Sequence, residues 1–372
     1  MQLKFGVIGW GLRGKLANIA HDPDKGRRLV AAADPSEAAR AAFLDEHPDA
    51  QAFSDFRDLL GLGLDAILIL SPDWLHEEQA VAVLEAGIPA FLEKPMAITV
   101  DGCDRILEAQ KRTGTKLYLG HNMRHFGFVR KMKEWIDQGL IGHVKTAWCR
   151  HFVSYGGDAY YRDWHADRSK STGLLLQKGA HDIDVLHYLC GGYSAEVTAL
   201  GDLMVYGDVT DRQLPDEKVK VEFRKTWPPR SIDKLNPVVD VEDVSLMLMR
   251  LDNGVLASYQ QCHFTPDAWR SYTIIGDEGR IENFGDAPGK AVIRLWDHAR
   301  YEHDPEGDLI YRVPDAAGWH GGSDDLMIAE FLRYLTEDAE TTTSPLAARM
   351  AVAAGIAGTE SLRSGGRPVS VQ

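Results

Sequence analysis

Leu3-Lys4-Phe5-Gly6-Val7-Ile8-Gly9-Trp10-Gly11-Leu12-Arg13-Gly14 is the stretch from which the rest of the chain is read. Lys4–Gly9 reads as a buried strand, and Arg13–Ala20 continues with a helical pattern. Between them the glycines are spaced G-x-G-x-x-G. Glycines are common, so the spacing alone says little. What decides its meaning is the strand before it, the helix after it, and Asp34, which closes the next strand about 20 residues beyond Gly14. In that setting Gly9 makes the tight turn, Gly11 lets a pyrophosphate approach the backbone, and Gly14 lets helix and strand pack closely. The helix N-terminus offers unpaired N–H groups to the phosphates. Candidate cofactor contacts are therefore Gly9, Trp10, Gly11, Leu12, Arg13, Gly14 and Asp34. Asp34 would accept hydrogen bonds from the adenosine ribose hydroxyls and repel a 2′-phosphate, which favours NAD over NADP. Arg40 lies too far along the next helix to reverse that preference.

Outward from this motif, strand patterns recur at Leu29–Asp34, Asp65–Ser71, Pro89–Glu93 and Thr115–Gly120. Helical patterns at Glu37–Glu46, Leu75–Ala86 and Val100–Thr113 alternate with them. Ser36 and Thr99 are placed as N-caps, and Gly87 and Gly114 as C-terminal stops. Strands alternating with helices predict right-handed βαβ units and a parallel, doubly wound sheet. Past Gly120 the pattern changes. Helices are expected at Gly127–Gln138 and about Ala180–Cys190, with a strand near His143–Phe152. Two hairpins follow: Val244–Leu251 with Gly254–His263, and Arg270–Ile275 with Arg280–Phe284. The fold class is thus α/β, a Rossmann domain over 1–121 followed by a mainly antiparallel α+β domain over 122–372. The polar, proline-bearing stretch 206–242 is long enough to expect a lid or an oligomer arm.

With 372 residues, two domains are the natural expectation. Against 41 basic residues stand 55 acidic ones, a formal charge of −14, which disfavours nucleic acid and anionic membranes as partners. No apolar run approaches the ~20 residues of a membrane span. Cys103, Cys149, Cys190 and Cys262 are far apart, so free thiols in a reducing cytoplasm are expected rather than a disulfide framework or a thiolate zinc site. The opening residues carry no basic leader or cleavage signal, in keeping with a cytoplasmic protein.

The strand Pro89–Glu93 ends in Glu93-Lys94-Pro95, and ligands of open α/β sheets sit beyond the carboxyl ends of the strands. A lysine there is suited to an anionic or hydroxylated ligand. Together with Leu70-Ser71-Pro72-Asp73-Trp74-Leu75-His76, Ala86-Gly87, Asn122-Met123-Arg124 and the run from Gly173 to Gly179-Ala180-His181-Asp182-Ile183-Asp184, the chain resembles the Gfo/Idh/MocA oxidoreductases. Ser344–Arg349 and Arg367–Val371 fit the same pattern, so the resemblance runs nearly end to end.

The resemblance implies a C-terminal domain built on a large open sheet and hydride transfer between a nicotinamide and a secondary alcohol or ketone of a sugar, sugar derivative or cyclitol. It implies Lys94 hydrogen-bonding the reacting oxygen and His181 exchanging its proton. Ser71, Pro72, His76, Glu93, Lys94 and Asn122 join the cofactor site by the same analogy. Substrate contacts are expected from Lys94, Arg124, Gln177, His181 and Asp184. Residues i and i+3 share a helix face, so Asp184 could reach the His181 ring or the substrate. Arg162, Trp164 and His165, in Tyr160-Tyr161-Arg162-Asp163-Trp164-His165, are side chains of the kind that grip carbohydrate.

Two departures stand out. Gln177 occupies the position, four before the histidine, where many members carry an acid, and Lys178 beside it could add a second cation. Asp73 stands where asparagine is usual. His143, His151, His165 and His181 lack metal-ligand spacing, and no metal is expected. The same groups could instead oxidise a glycoside transiently, eliminate and re-reduce it with NAD recycled; a non-catalytic sensor would have no need of both Lys94 and His181. A homodimer or homotetramer through the open sheet is what the resemblance suggests. The helix at about 345–364 could pack back on the first domain.

Overall fold

The structure, a computed structural model, describes residues 2–214, 224, 226–337 and 339–372. The chain divides into two compact units, Met1–Asn122 with Gly318–Arg349, and Met123–Ala317 with Met350–Gln372. Elements are numbered along the chain.

The first unit is a six-stranded sheet in the order β3-β2-β1-β4-β5-β6, parallel at every pairing. Its strands are β1 (Leu3–Ile8), β2 (Arg27–Ala33), β3 (Gln51–Phe53), β4 (Ala66–Ile69), β5 (Ala90–Glu93) and β6 (Leu117–Gly120). The helices are α1 (Ala17–Ala20), α2 (Glu37–Glu46), α3 (His76–Glu85), α4 (Val100–Thr113) and α9 (Ser323–Glu337). β4, β5 and β6 are buried along their whole length because helices cover both faces. Ser36 and Thr99 cap α2 and α4 by accepting from the N–H groups of Ala39 and Gly102, and Gly114 ends α4 in the left-handed region. Two elements were not expected. β3 is three residues long and partly exposed. α9 enters from far along the chain and packs Met327, Ile328 and Phe331 against Phe5, Val7, Phe91 and Tyr118.

The second unit carries a nine-stranded sheet, β14-β13-β12-β11-β7-β10-β9-β8-β15. Its strands are β7 (Val144–Phe152), β8 (Ser194–Asp202), β9 (Val244–Leu251), β10 (Leu256–Cys262), β11 (Trp269–Gly276), β12 (Arg280–Phe284), β13 (Val292–Trp296), β14 (Leu309–Arg312) and β15 (Val369–Ser370). Both expected hairpins form. They are not neighbours, because β7 lies between them, antiparallel to β11 and parallel to β10, so the sheet is mixed although mostly antiparallel. The helices are α5 (Gly127–Asp137), α6 (Arg168–Ser171), α7 (Leu174–Gln177), α8 (Gly179–Cys190) and, from Met350 onward, α10 (Pro345–Arg363). Phe128, Met132, Ile183 and Leu186 of α5 and α8 join one core with Ala147, Met247, Tyr259, Tyr272 and Ile274 of the sheet. On the opposite face Leu200, Leu246, Leu248 and Leu256 alternate outward and are half or more exposed.

Within 206–242, residues 215–223 and 225 lie outside the described residues. The rest packs: Tyr206, Val209, Ile232, Leu235 and Val241 form a small core with Val153, Tyr160, Tyr161, Ala166 and Leu174.

Candidate functional site

Candidate functional residues lie in each of the two units. In the first, Gly9 takes φ +89°, and a Cβ there would come within 2.9 Å of Ser71 backbone atoms. A Cβ on Gly14 would meet the Gly9 carbonyl at 2.7 Å, while nothing stands within 4 Å of one on Gly11. The turn is thus closed where chain packs on chain and open where a phosphate would come. Arg13–Leu16 and α1 form one short helical run after it, and Leu12 is exposed at the rim. Asp34 faces this turn, accepting from Trp10 N at 2.9 Å and Ser36 N at 2.8 Å. Trp10 is buried edge-on against Phe43. Arg40 folds back so that its guanidinium donates to the carbonyls of Asp34 and Pro35 at 2.8 and 2.9 Å.

Lys94 follows β5 and is partly buried, its N–H bound by Glu93 Oε2 at 2.9 Å. Glu93 also pairs with Arg13, and the same guanidinium reaches Asp324 at 2.8 Å. Asp324, at the start of α9, further accepts from Asn122 Nδ2 and His320 Nδ1, each at 2.9 Å. Burial opposes ionisation of Asp324, but hydrogen bonds from His320 and Arg13 outweigh it and hold the carboxyl well below the ordinary range. Asp324 and His320 had no signal in the local sequence. His76 is buried with Nδ1 2.7 Å from the Pro95 carbonyl and Nε2 2.9 Å from that of Ser71, fastening the Ser71-Pro72 loop beneath the lysine loop.

In the second unit a break separates α7 from α8. Gln177 closes α7 and is buried, Lys178 stands at the joint, and His181 lies partly exposed in the first turn of α8. Asp184, one turn on, is fully buried and grips Arg124 through two bonds of 2.8 and 2.7 Å, with the guanidinium 4.6 Å above the Tyr188 ring. Arg162 is buried between Asp158 and Asp233. It follows a single π-helical turn, Gly157–Tyr161, a geometry over-represented at functional sites. Trp164 and His165 stack at 3.7 Å, and Tyr160 meets the edges of His165 and His263, each at 5.2 Å.

Beneath His181 lies a polar layer that sequence reasoning missed. Asp182 is fully buried, forms ion pairs with Arg270 (Nε at 2.7 Å) and His151 (Nδ1 at 3.0 Å), and accepts from the hydroxyls of Tyr259 at 2.9 Å and Tyr272. Burial would raise this carboxyl, but the Arg270 charge and the His151 and Tyr272 bonds hold it well below the usual range. Burial and the same arginine push the His151 imidazole down to about 3. The layer pins the start of α8 to β7, β10 and β11. Among the described residues one potential metal group exists, Asp297, His298 and Asp308 in surface segments, and it includes none of the histidines weighed above.

Residues 3–121 match the model described as oxidoreductase family, NAD-binding Rossmann fold, and residues 133–371 match the one described as oxidoreductase family, C-terminal alpha/beta domain. An inositol 2-dehydrogenase of Klebsiella pneumoniae is 35% identical over 195 residues, 51% of this chain and 55% of that protein. A 2,7-anhydro-N-acetylneuraminate hydratase of Mediterraneibacter gnavus is 30% identical over 200 residues, 53% of this chain and 52% of the relative. The matches thus span about half the length of these relatives. The solved levoglucosan dehydrogenase in complex with NADH and levoglucosan superposes with a TM-score of 0.80 at 20% identity over all of both chains, a likeness of fold. Matched across both of its domains, the chain belongs to the Gfo/Idh/MocA family of oxidoreductases.

Proposed function

We propose that this chain is an NAD-dependent dehydrogenase, or a reductase in the other direction, acting on a secondary hydroxyl of a sugar, sugar derivative or cyclitol. The observation that carries the reading is the first unit's arrangement: an open glycine turn, a carboxylate facing it at the tip of β2, and a lysine closing β5. Residues 1–121 would hold the cofactor. Gly9–Gly14 would receive the pyrophosphate and Asp34 the ribose, with Ser71, Pro72, His76, Glu93 and Asn122 completing the surround. When bound, the nicotinamide supplies the acceptor for the substrate's hydride. Lys94 holds the reacting oxygen, and His181 takes the hydroxyl proton, a step suited to an imidazole near neutrality. Residues 122–372 would bind substrate, with Gln177, Trp164 and His165 meeting its hydroxyls and ring faces. Arg124 and Arg162, each already held by buried acids, would shape the pocket from behind.

Asp34 favours NAD over NADP, since its carboxylate repels a 2′-phosphate and Arg40 is committed to backbone carbonyls. The exposed leucines of β8, β9 and β10 would be covered by a second copy, giving a homodimer or homotetramer. The four unpaired cysteines suit a reducing cytoplasm, and no helix among the described residues is long and apolar enough to cross a membrane. A relative named as a hydratase favours a second reading, in which the cofactor is reduced and reoxidised within one turnover. Following NADH formation over a panel of pyranoses, cyclitols and glycosides, beside product analysis, tests both. Stoichiometric NADH supports the first reading; product without NADH supports the second.

A further inference from the structure

Lys178 has no task in the reading above. It sits at the joint between α7 and α8, mostly buried, with its Nζ 5.8 Å from the Tyr160 ring centre and in reach of that hydroxyl. Moving an ammonium out of water costs several kcal/mol unless an opposite charge meets it. Among the described residues no carboxylate forms an ion pair with it, and three buried acids of the same unit are engaged elsewhere. Asp182 is held by Arg270, His151 and two tyrosines. Asp158 pairs with Arg162, and Asp243 accepts from three backbone N–H groups. The neighbour that could have been acidic, Gln177, is neutral.

His263 makes the second, independent observation. It is fully buried, touches Tyr160 edge-on at 5.2 Å, and neither of its ring nitrogens has a hydrogen-bond partner among the described residues. Burial, with His151, Lys178 and His165 nearby, drives this imidazole well below its usual range, so it is neutral and offers one N–H. A buried donor left unsatisfied costs about 1–3 kcal/mol. A cation without a counter-ion and an imidazole without a hydrogen-bond partner therefore flank one tyrosine ring, whose hydroxyl the lysine already meets.

We propose that Lys178, His263 and Tyr160 form a subsite for a carboxylate on the substrate, so that the chain acts on sugar acids of the hexuronate type rather than on neutral hexoses. This rests on reading the second unit as the substrate domain. One cation with neutral donors matches one negative charge; a phosphate dianion would remain half uncompensated.

Calorimetric titration with NAD present compares glucuronate and galacturonate with glucose, galactose and glucose 6-phosphate, using the full chain, Lys178→Met, Lys178→Arg and Tyr160→Phe. At least one hexuronate is expected to bind about tenfold or more tighter than its neutral counterpart. Lys178→Met should abolish that preference, Lys178→Arg restore part of it, and Tyr160→Phe weaken it several-fold. The ligand-free Lys178→Met protein should melt no lower than the parent, because it loses a buried charge that had no counter-ion. Neutral or phosphorylated sugars binding as tightly as the best hexuronate, no hexuronate binding, or discrimination surviving Lys178→Met each overturns the subsite. NADH formed from neutral sugars alone overturns the subsite and leaves the dehydrogenase standing. Hexuronate binding that depends on Lys178 but yields neither NADH nor product overturns the dehydrogenase and leaves the subsite standing.

Discussion

Asp34 shows how much a single side chain decides. Its two oxygens already accept backbone N–H groups from Trp10 and Ser36, which fixes the carboxylate at the tip of β2 and keeps its charge beside the glycine turn. Charges about 4 Å apart near a protein surface interact by roughly 1–4 kcal/mol. Asp34→Ser is accordingly expected to narrow the NAD-over-NADP preference in KM by about tenfold or more; unchanged selectivity would remove Asp34 from the ribose site. Residues of this kind could be read from the sequence because the strand, the glycine turn and the acid follow one another locally. Asp324 could not. It reaches Arg13 across 311 positions, and only the completed fold brings α9 against β1 and β5. Lys178 falls between these cases: its charge was visible, but its want of a counter-ion depends on which acids the fold commits elsewhere.

At the scale of elements, α8 is held by what lies under its first turn. Asp182 lies between Arg270, His151, Tyr259 and Tyr272, and no polar member of that layer is exposed. Removing one member of a buried ion pair leaves the other uncompensated, at a cost of about 3–5 kcal/mol. Asp182→Asn should therefore lower unfolding free energy in urea by that order; a loss below ~1 kcal/mol would mean the layer contributes little to anchoring α8. Helices with caps were legible, with α2 and α4 matching their expected limits because Ser36, Thr99 and Gly114 mark the ends chemically. The elements that escaped were those without such marks. β3 is too short for alternation to register, and β8 alternates irregularly between buried and exposed positions. Two hairpins were legible as pairs of neighbours in sequence, whereas the insertion of β7 between them is a long-range pairing with no local trace.

For the molecule as a whole, buried imidazoles set a limit on acid tolerance. Burial pushes His187 down to about 4 and His151 to about 3. His187 Nε2 accepts from Ser194 N at 3.1 Å, a bond that requires the neutral ring. Both folded-state values lie below the unfolded value near 6.5, so the folded chain resists protons that the unfolded chain takes up. Their contribution is complete above pH ~6.5 and is lost as pH falls towards 4, at up to ~1.4 kcal/mol per unit for each ring. The melting temperature should thus decline steeply between pH 6.5 and 4.5; a flat profile there would show these rings are not held neutral. The apolar face of β8, β9 and β10 makes a separate prediction. If the proposed homo-oligomer forms through this face, Leu248→Arg should give a smaller species than the parent in light scattering after size exclusion, and an unchanged mass would place any interface elsewhere.

The central claim is that this chain moves a hydride between NAD and a carbohydrate hydroxyl, with Lys94 and His181 handling the oxygen and its proton. It is tested most directly by NADH formation in the substrate panel, measured for the parent, Lys94→Ala and His181→Ala. The account predicts sustained NADH from NAD with a sugar, sugar acid or cyclitol, and a fall in kcat of about 10²–10⁴ when His181 is removed. Turnover that survives loss of both side chains, or NAD bound with no substrate of the panel consumed, would contradict it.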